Sequence, residues 1–156
     1  MLDDRSDDHW MSEALDLARQ AATLGEVPVG AVVVRDGEIV GHGFNRREAW
    51  SDPCAHAEIL ALRDAAHRLS RWRLHDCTLY VTLEPCPMCA GALVNARIAA
   101  VVFGTRDPRA GAMVTHYGIG TGAPLNHTIA MRENVLREDC AKVLVDFFGA
   151  RRKSRA

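Results

Sequence analysis

Four side chains in two separate stretches of the sequence could together bind a metal ion and move protons. His56 and Glu58 flank a single alanine. Cys86 and Cys89 form a C-x-x-C motif that follows a proline and encloses a proline and a methionine. One imidazole and two thiolates suit a zinc ion that keeps its fourth position open for water. A nearby glutamate can carry protons to and from that water. The four residues therefore predict hydrolytic chemistry at a zinc site and argue against a structural zinc.

The cysteine pair taken alone has more than one interpretation. Cys86 and Cys89 are three residues apart at a predicted helix start, so their sulfurs face the same side and the helix N-terminus favours thiolates. A redox dithiol or a chance pair remains an alternative for this motif by itself. His56 favours zinc, because it also lies at a predicted helix start, where its ring can turn into the space between two helix ends.

Glu58 is predicted to have a different task from His56. It follows His56 by two positions, which places it roughly 200° further around an ideal helix. Two side chains so placed on a regular turn cannot bind one metal ion together. We therefore expect His56 to be the ligand and Glu58 to reach past the metal towards the water.

Hydrophobic periodicity and turn signals predict the elements that position these residues. A helix over about 8–24 precedes a hairpin whose strands, 31–35 and 38–43, flank Asp36-Gly37. Strands and helices then alternate, which indicates an α/β protein with a mainly parallel later part of the sheet. The later elements are, in order, a helix over 55–69, a strand over 78–83, a helix ending near 95, a strand over 99–103, a short strand near 128–131 and a helix over about 136–152. The long irregular segment 104–127 is more typical of a functional loop than of a connection.

Length and composition indicate one domain over residues 1–156. Hydrophobic residues make up 48% and charged residues 25%, as in ordinary soluble globular proteins, and the formal net charge is -1. No secretory signal or membrane span is expected, so we predict a cytoplasmic protein.

Three of the five cysteines stand outside the motif. Cys77 and Cys140 are expected to be buried, and Cys54 to lie at the edge of the site without being a ligand.

The two motifs resemble the signature H-x-E…P-C-x-x-C of the zinc nucleobase deaminases. A longer ordered set of segments resembles the tRNA adenosine deaminase branch of that superfamily, and the resemblance runs from about Trp10 to Arg152. The segments that carry it are 26–31, 45–46, 52–59, 79–86, 102–104, 125–127 and 146–148 with the arginines that follow.

The resemblance implies a cytidine deaminase-like fold, with three α/β/α layers around a central five-stranded mixed sheet. It implies a homodimer with one zinc ion per subunit, bound by His56, Cys86 and Cys89, and a tRNA anticodon loop as partner. The implied reaction converts the wobble adenosine to inosine. Zinc would lower the pKa of a water towards neutrality, and Glu58 would carry protons from that water to adenine N1 and to the departing amine.

The resemblance also implies residues that contact the substrate. The expected substrate-binding residues are Asn45, Val27, Pro28, Ala57, Asp107 and Phe148, with a loop-capping role as the alternative for Asn45. The expected phosphate contacts are Arg106, Arg109, Arg151 and Arg152, with simple solvation as the alternative for each. Of the pair Phe147 and Phe148, we expect one in the core and one near the bound loop. Glu84 is expected to orient its neighbours and not to take part in catalysis.

Segment 111–118 departs from the family pattern, since many members carry a Gly-Ser pair after the Gly-Ala that begins it. This segment could flank the pocket, so it concerns RNA recognition and leaves the zinc chemistry untouched. Two other functions remain open. One is a deaminase of a free base, guanine or cytosine, which would use the same motifs. The other is a non-catalytic nucleic-acid-binding or structural module held together by zinc, against which Glu58 argues.

Overall fold

The computed structural model describes residues 6–155 of the chain. Within that range no helix has the length and apolar character needed to cross a bilayer. The elements, in chain order, are α1 (Asp7–Thr23), β1 (Gly30–Arg35), β2 (Glu38–Phe44), α2 (Arg47–Trp50), α3 (Ala57–Leu69), β3 (Thr78–Leu83), α4 (Pro87–Asn95), β4 (Ala100–Thr105), β5 (Ala130–Arg132) and α5 (Arg137–Arg155).

The five strands form one mixed sheet in the order β2-β1-β3-β4-β5. β1 pairs antiparallel with β2 and with β3, whereas β3–β4 and β4–β5 are parallel. The first pair is the predicted hairpin, whose turn places Asp36 and Gly37 at positive φ. The predicted α/β class and the five-stranded mixed sheet are confirmed.

Side chains alternate between the two faces of the sheet and divide the core into two halves. On one face, Val32 and Val34 of β1 pack with Trp10 and Met11 of α1 and with Cys140 of α5. The opposite face packs against α3 and α4, through residues that include Ala31, Val33, Leu79, Val81, Ala61 and Leu93. Helices therefore cover both faces, as the predicted α/β/α layering requires.

Helix α3 lies unusually close to β2, and this approach fixes the end of the helix that carries the site. A Cβ atom at Gly43 would lie 2.7 Å from the carbonyl oxygen of Ala57, and one at Gly41 would lie 2.7 Å from the nitrogen of Ala65. The helix face against the strand is lined by alanines, among them Ala61, which keep the backbones together. The first turn of α3, with Glu58, thus has little freedom to shift.

We expect Gly43→Ala to lower the free energy of unfolding by about 1–3 kcal/mol, the usual cost of forcing an extra carbon into a packed interior. Gly91→Ala is the matched control. A Cβ at Gly91, inside α4, meets nothing within 4 Å, so alanine should stabilise that helix by roughly 0.5–1 kcal/mol. Urea denaturation of both variants measures the two effects. Equal changes in the free energy of unfolding for Gly43→Ala and Gly91→Ala would show that β2 and α3 leave room for a side chain at Gly43.

The structure differs from the prediction at four elements, one of them at the site. α3 begins at Ala57 and not at residue 55, so His56 is its extended cap residue and does not belong to the first turn. α2 occupies a stretch that was predicted as loop. β4 continues to Thr105, and β5 lies at Ala130–Arg132. Segment 106–129 is irregular, as predicted, apart from an isolated bridge between Thr121 and Thr128.

Candidate active site

Three potential metal ligands meet where the N-termini of α3 and α4 face each other. His56 caps α3 and Cys86 caps α4, each with an extended backbone (φ -78°, ψ 154° and φ -74°, ψ 173°). Cys89 follows in the first turn of α4. The sulfurs of Cys86 and Cys89 each lie 3.5 Å from Nδ1 of His56. The two helix starts thus bring together residues that are thirty positions apart in the chain.

The separations of these donors fit a zinc ion. Zinc bonds of about 2.3 Å to sulfur and 2.0–2.1 Å to nitrogen, at a tetrahedral angle, place the two donors about 3.6 Å apart. The observed value is 3.5 Å for both sulfur–nitrogen pairs. No fourth His, Cys, Asp or Glu in the described part of the chain joins this cluster, whose donor atoms lie within 4.8 Å of one another. A bound zinc would therefore have a position for water.

Without a metal, hydrogen bonds hold the three ligands in unequal protonation states. The bond with Cys89, helped by the adjacent His56 ring, lowers the pKa of Cys86 to about 4. The same bond, together with burial, raises the pKa of Cys89 far above its usual range. The Cys86 sulfur also raises the pKa of His56 by hydrogen bonding to its ring. A divalent cation would displace these protons, because metals bind thiolates and neutral imidazole.

Glu58 lies beside the ligands in the second position of α3, and only 4% of its surface is exposed. Burial raises the pKa of its carboxyl to about 7, because the charged form loses its hydration. A cation on the neighbouring ligands would lower this pKa again. In the metal-free protein the group therefore gains and loses its proton near neutral pH. A buried carboxyl beside the ligands is placed to act as a general acid and base.

His56, Cys86 and Glu58 line a cavity of about 160 Å³, and Cys89 is buried beside them without lining it. Four of the predicted substrate residues line it: Val27, Asn45, Ala57 and Asp107. Pro28 is buried and is not a lining residue, and its neighbour Val29 takes that place. Sequence reasoning also missed Arg47, Leu83 and Ala110. Leu83 could have been found from its position at the end of the strand that leads to the cysteines, but Arg47 was in a stretch predicted as loop.

Asn45 is fixed across one wall of this cavity. Its side-chain amide donates to the carbonyl oxygen of Val27 at 3.2 Å, and its side-chain oxygen accepts from the backbone N–H of Arg47 at 3.2 Å. Asn45 thus has the loop-capping role that was the alternative prediction, and it also lines the cavity. One amide hydrogen stays available for a ligand.

Glu84 organises the loop that closes the other side of the cavity. Its buried carboxylate accepts hydrogen bonds from the backbone N–H groups of Asp107, Met113, Val114 and Thr115, at 2.9–3.2 Å, and from the Thr115 hydroxyl. Burial opposes the charge, but these bonds, with those of Thr115 foremost, hold the pKa of Glu84 below its usual value. Glu84 therefore positions Asp107, and its carboxylate does not belong to the ligand cluster.

We expect Glu84→Ala to destabilise the protein by about 3 kcal/mol, because buried N–H groups lose a charged acceptor. The control is Glu38→Ala on the exposed edge strand, with a change below about 0.5 kcal/mol. Because the folded pKa of Glu84 is lowered, its contribution is present above the unfolded pKa near 4.5 and declines as the pH falls below it. Denaturant unfolding at several pH values measures both effects. An acid-induced loss of stability that is unchanged in Glu84→Gln would contradict this role.

Segment 111–118, which departs from the family pattern, packs behind the cavity. Ala112 and Met113 are buried, and the N–H of Ala112 donates to the carbonyl oxygen of Pro85 at 2.9 Å. Val114 and Tyr117 are exposed. Among the described residues, those of this segment line neither the cavity nor the groove beside it. The departure thus places Met113 in the core and Val114 on the surface, and it contributes no residue to the cavity wall.

A larger groove of about 710 Å³ opens from the cavity. The two spaces share the lining residues Val27, Arg47, Leu83 and Asp107. Phe148, predicted as a substrate residue, lies in this groove and not in the cavity. Three of the predicted phosphate contacts, Arg106, Arg109 and Arg152, also line it. The cavity and the groove form one continuous surface from the metal ligands to α5.

The remaining predicted residues lie outside these two spaces. The Arg151 guanidinium stacks over the Phe147 ring, 5.0 Å from its centre, and neither residue lines the groove. Neither Phe147, which is half-buried, nor Phe148, which is exposed, is part of the described core, so the expectation that one of the pair lies there was wrong. Cys54 is exposed and does not belong to the ligand cluster. Cys77 and Cys140 are buried as predicted, and burial raises the pKa of each thiol to about 12.

Comparison with protein families matches residues 4–105 to the cytidine and deoxycytidylate deaminase zinc-binding region. A tRNA-specific adenosine deaminase from Haemophilus influenzae is 46% identical over 150 residues, which are 96% of this chain and 87% of that protein. The matched family region contains all three potential ligands and Glu58.

Two solved structures are also similar. One comes from a study of A-to-I editing by tRNA:A34 deaminases at the wobble position of transfer RNA. It is 38% identical to this chain with a TM-score of 0.84, and the match covers 87% of this chain and 99% of that one. The other is a guanine deaminase from Bacillus subtilis, 39% identical with a TM-score of 0.63, over 65% of this chain and 66% of that one. The chain belongs to the zinc-binding cytidine and deoxycytidylate deaminase family, and within it to the tRNA-specific adenosine deaminases.

Proposed function

We propose that this chain is a zinc-dependent hydrolase that deaminates adenosine to inosine at the wobble position of a tRNA anticodon. The observation that carries the chemistry is a buried glutamate beside an open set of three zinc ligands, at the base of a small cavity. Relatives that are named tRNA-specific adenosine deaminases, similar over nearly the full chain, support the choice of substrate.

His56, Cys86 and Cys89 would hold one zinc ion per subunit, which when bound supplies an acidified water as the nucleophile. Glu58 accepts a proton from the attacking water and delivers one to N1 of adenine, which makes C6 electrophilic. Glu58 then takes the second proton of the water, from the new hydroxyl on C6, and passes it to the amine, so that the C–N bond breaks, ammonia leaves and the carbonyl of inosine remains. One carboxyl can both accept and donate, because each transfer returns it to the protonation state that the next one needs.

The walls of the cavity would orient the base against Glu58. Val27, Val29 and Leu83 provide apolar surface that excludes water, and Ala57 adds no bulk next to Glu58. Asn45 can offer its remaining amide hydrogen to the nucleoside. Pro28 would support this wall from behind, where it stiffens the chain between the two valines. Asp107 faces the cavity from the loop that Glu84 holds and is suited to contact the ribose.

The groove favours a strand of RNA over a free base as the substrate. Typical small-molecule sites have volumes of about 300–1,000 Å³. The cavity is smaller than that, and it opens directly into the larger groove. Phe148 offers the groove an aromatic face on which a flanking base can stack. Arg109 and Arg152 are suited to phosphate contacts there, while Arg106 is partly engaged by an ion pair with Glu133 at 3.0 Å. Arg151 is a more remote candidate.

We also propose that the chain acts as one domain, in the cytoplasm, as a homodimer. An apolar groove between α3 and α4 offers a surface for a second copy. Trp72 at its edge is 57% exposed, and Ile59, Leu62 and Ala92 line it. Sedimentation of the purified protein tests the oligomeric state, and a monomer at micromolar concentration would refute the dimer.

A deamination assay on an anticodon stem-loop with a wobble adenosine tests the function, with a stem-loop that carries guanosine there as the control substrate. We expect inosine in the first RNA alone. The second candidate is a free-base deaminase, which the similarity to a guanine deaminase over part of the chain favours. Consumption of free guanine or cytosine, with the RNA unchanged, would establish that candidate instead.

A further inference from the structure

Arg47 occupies the position where the cavity and the groove meet. It is the first residue of α2 and lines both spaces. Its side chain is exposed, and no carboxylate among the described residues forms an ion pair with it. An arginine that is placed at the entrance to a site and not neutralised there is available to an anionic ligand.

The backbone that carries Arg47 is held rigidly by buried polar groups. Glu26, only 1% exposed, accepts hydrogen bonds from the N–H groups of Glu48 and Ala49 at 3.0 and 2.8 Å. The Asn45 side chain accepts from the N–H of Arg47 itself. Because these donors are used within the protein, α2 offers a ligand the side chain of Arg47 and not its backbone.

The neighbouring arginine is engaged differently. The Arg46 guanidinium lies over the rings of Phe44 and Trp50, at 4.1 and 5.2 Å from their centres. It is half-buried and lines neither space. Of the two adjacent cations, Arg47 is therefore the one placed to meet substrate.

The charge around this position suits a phosphodiester. Arg109 and Arg152 line the same groove, and Asp107 is the one acidic side chain that the described groove includes. A guanidinium can bind two oxygens of a phosphate at once, which fixes position as well as supplying attraction. A strand that leaves the cavity for the groove must pass Arg47.

We propose that Arg47 binds the phosphate next to the target nucleoside and thereby makes the enzyme select adenosine within an RNA strand over free adenosine. This inference rests on the proposed function. It makes Arg47 a specificity-determining residue, since phosphate binding helps only those substrates that carry a flanking phosphate.

Kinetics on the anticodon stem-loop and on free adenosine test this role. We expect Arg47→Ala to raise KM for the RNA about tenfold with kcat nearly unchanged, and to leave the rate on adenosine unchanged. Arg47→Lys should give an intermediate KM, because lysine keeps the charge without the two-point contact. Arg19→Ala removes an equal charge from an exposed position on α1, outside the cavity, the groove and the proposed dimer surface, and should change nothing.

The salt dependence of RNA binding provides a second readout that does not need turnover of adenosine. Loss of one phosphate contact to a single strand should reduce the slope of log affinity against log salt by about 0.7. This reduction in slope should occur in Arg47→Ala but not in Arg19→Ala. If Arg47→Ala matches Arg19→Ala in both KM and slope, the inference is wrong. A wild-type protein that leaves the RNA unchanged would refute the proposed function instead.

Discussion

Glu58→Gln should lower kcat for deamination by at least about 10³-fold while the zinc content stays that of the wild type. Positioned general acid–base groups contribute about 10²–10⁴-fold, and Glu58 is proposed to transfer protons at two stages of one reaction. Glutamine keeps the shape of the side chain but cannot accept a proton from water. Because His56, Cys86 and Cys89 form the ligand cluster without Glu58, the metal should stay in place.

Single-turnover assays on the RNA, with zinc measured by atomic spectroscopy, separate these two effects. Glu48→Gln is the matched control, because Glu48 is an exposed residue of α2 outside the cavity and should leave kcat unchanged. A Glu58→Gln protein that retains zinc and full activity would contradict the proton-transfer role and favour a non-catalytic zinc module. One that loses both would mean that Glu58 also holds the metal.

The same substitution has a consequence for stability in the metal-free protein. Burial raises the pKa of Glu58 to about 7, from 4.5 in the exposed state. Between these values the unfolded chain loses its proton while the folded chain keeps it, so stability falls as the pH rises through this window. Denaturation after chelation should show this fall in the wild type and a smaller one in Glu58→Gln. Equal pH profiles would show that the buried carboxyl does not titrate there.

The ligands could be predicted from the sequence because their residue types and spacing are themselves the chemical requirement. The start of α3 was less predictable. Alanines on both sides of His56 are good helix formers, and no Ser, Asp or Asn marks the cap, so sequence alone extended the helix two residues too far. The extended backbone of His56 depends on its surroundings in the fold.

Other parts of the site depend on contacts between residues that are distant in the chain. α2 has only four residues, too few to be stable alone, and it is held by Glu26, which lies more than twenty positions earlier. Glu26 stands in an otherwise apolar segment, and nothing in the sequence around it indicates that its carboxylate binds the backbone of α2. Likewise, the loop after β4 is ordered by Glu84, and Phe148 reaches the groove only because α5 packs against β4.

Cys89→Ala should weaken zinc binding more than about 100-fold, which exceeds the 10–100-fold cost of losing a hydrogen bond to a ligand. The sulfur of Cys89 lies 3.5 Å from Nδ1 of His56, at the separation that a shared tetrahedral metal requires. Removing one of three protein ligands leaves too few to hold zinc against a chelator. Deamination should be lost together with the metal, because no other group can supply the nucleophile.

Competition with a chromogenic chelator measures the affinity, and Cys54→Ala is the control because Cys54 is exposed and stands outside the cluster. The wild-type affinity should fall as the pH is lowered, since the thiols and His56 must release protons to bind metal. Chelation should also lower the thermal midpoint of the wild type and of Cys54→Ala, but barely that of Cys89→Ala, which has little metal to lose. If Cys54→Ala lost zinc equally, or Cys89→Ala kept it, the assignment of the three ligands would be wrong.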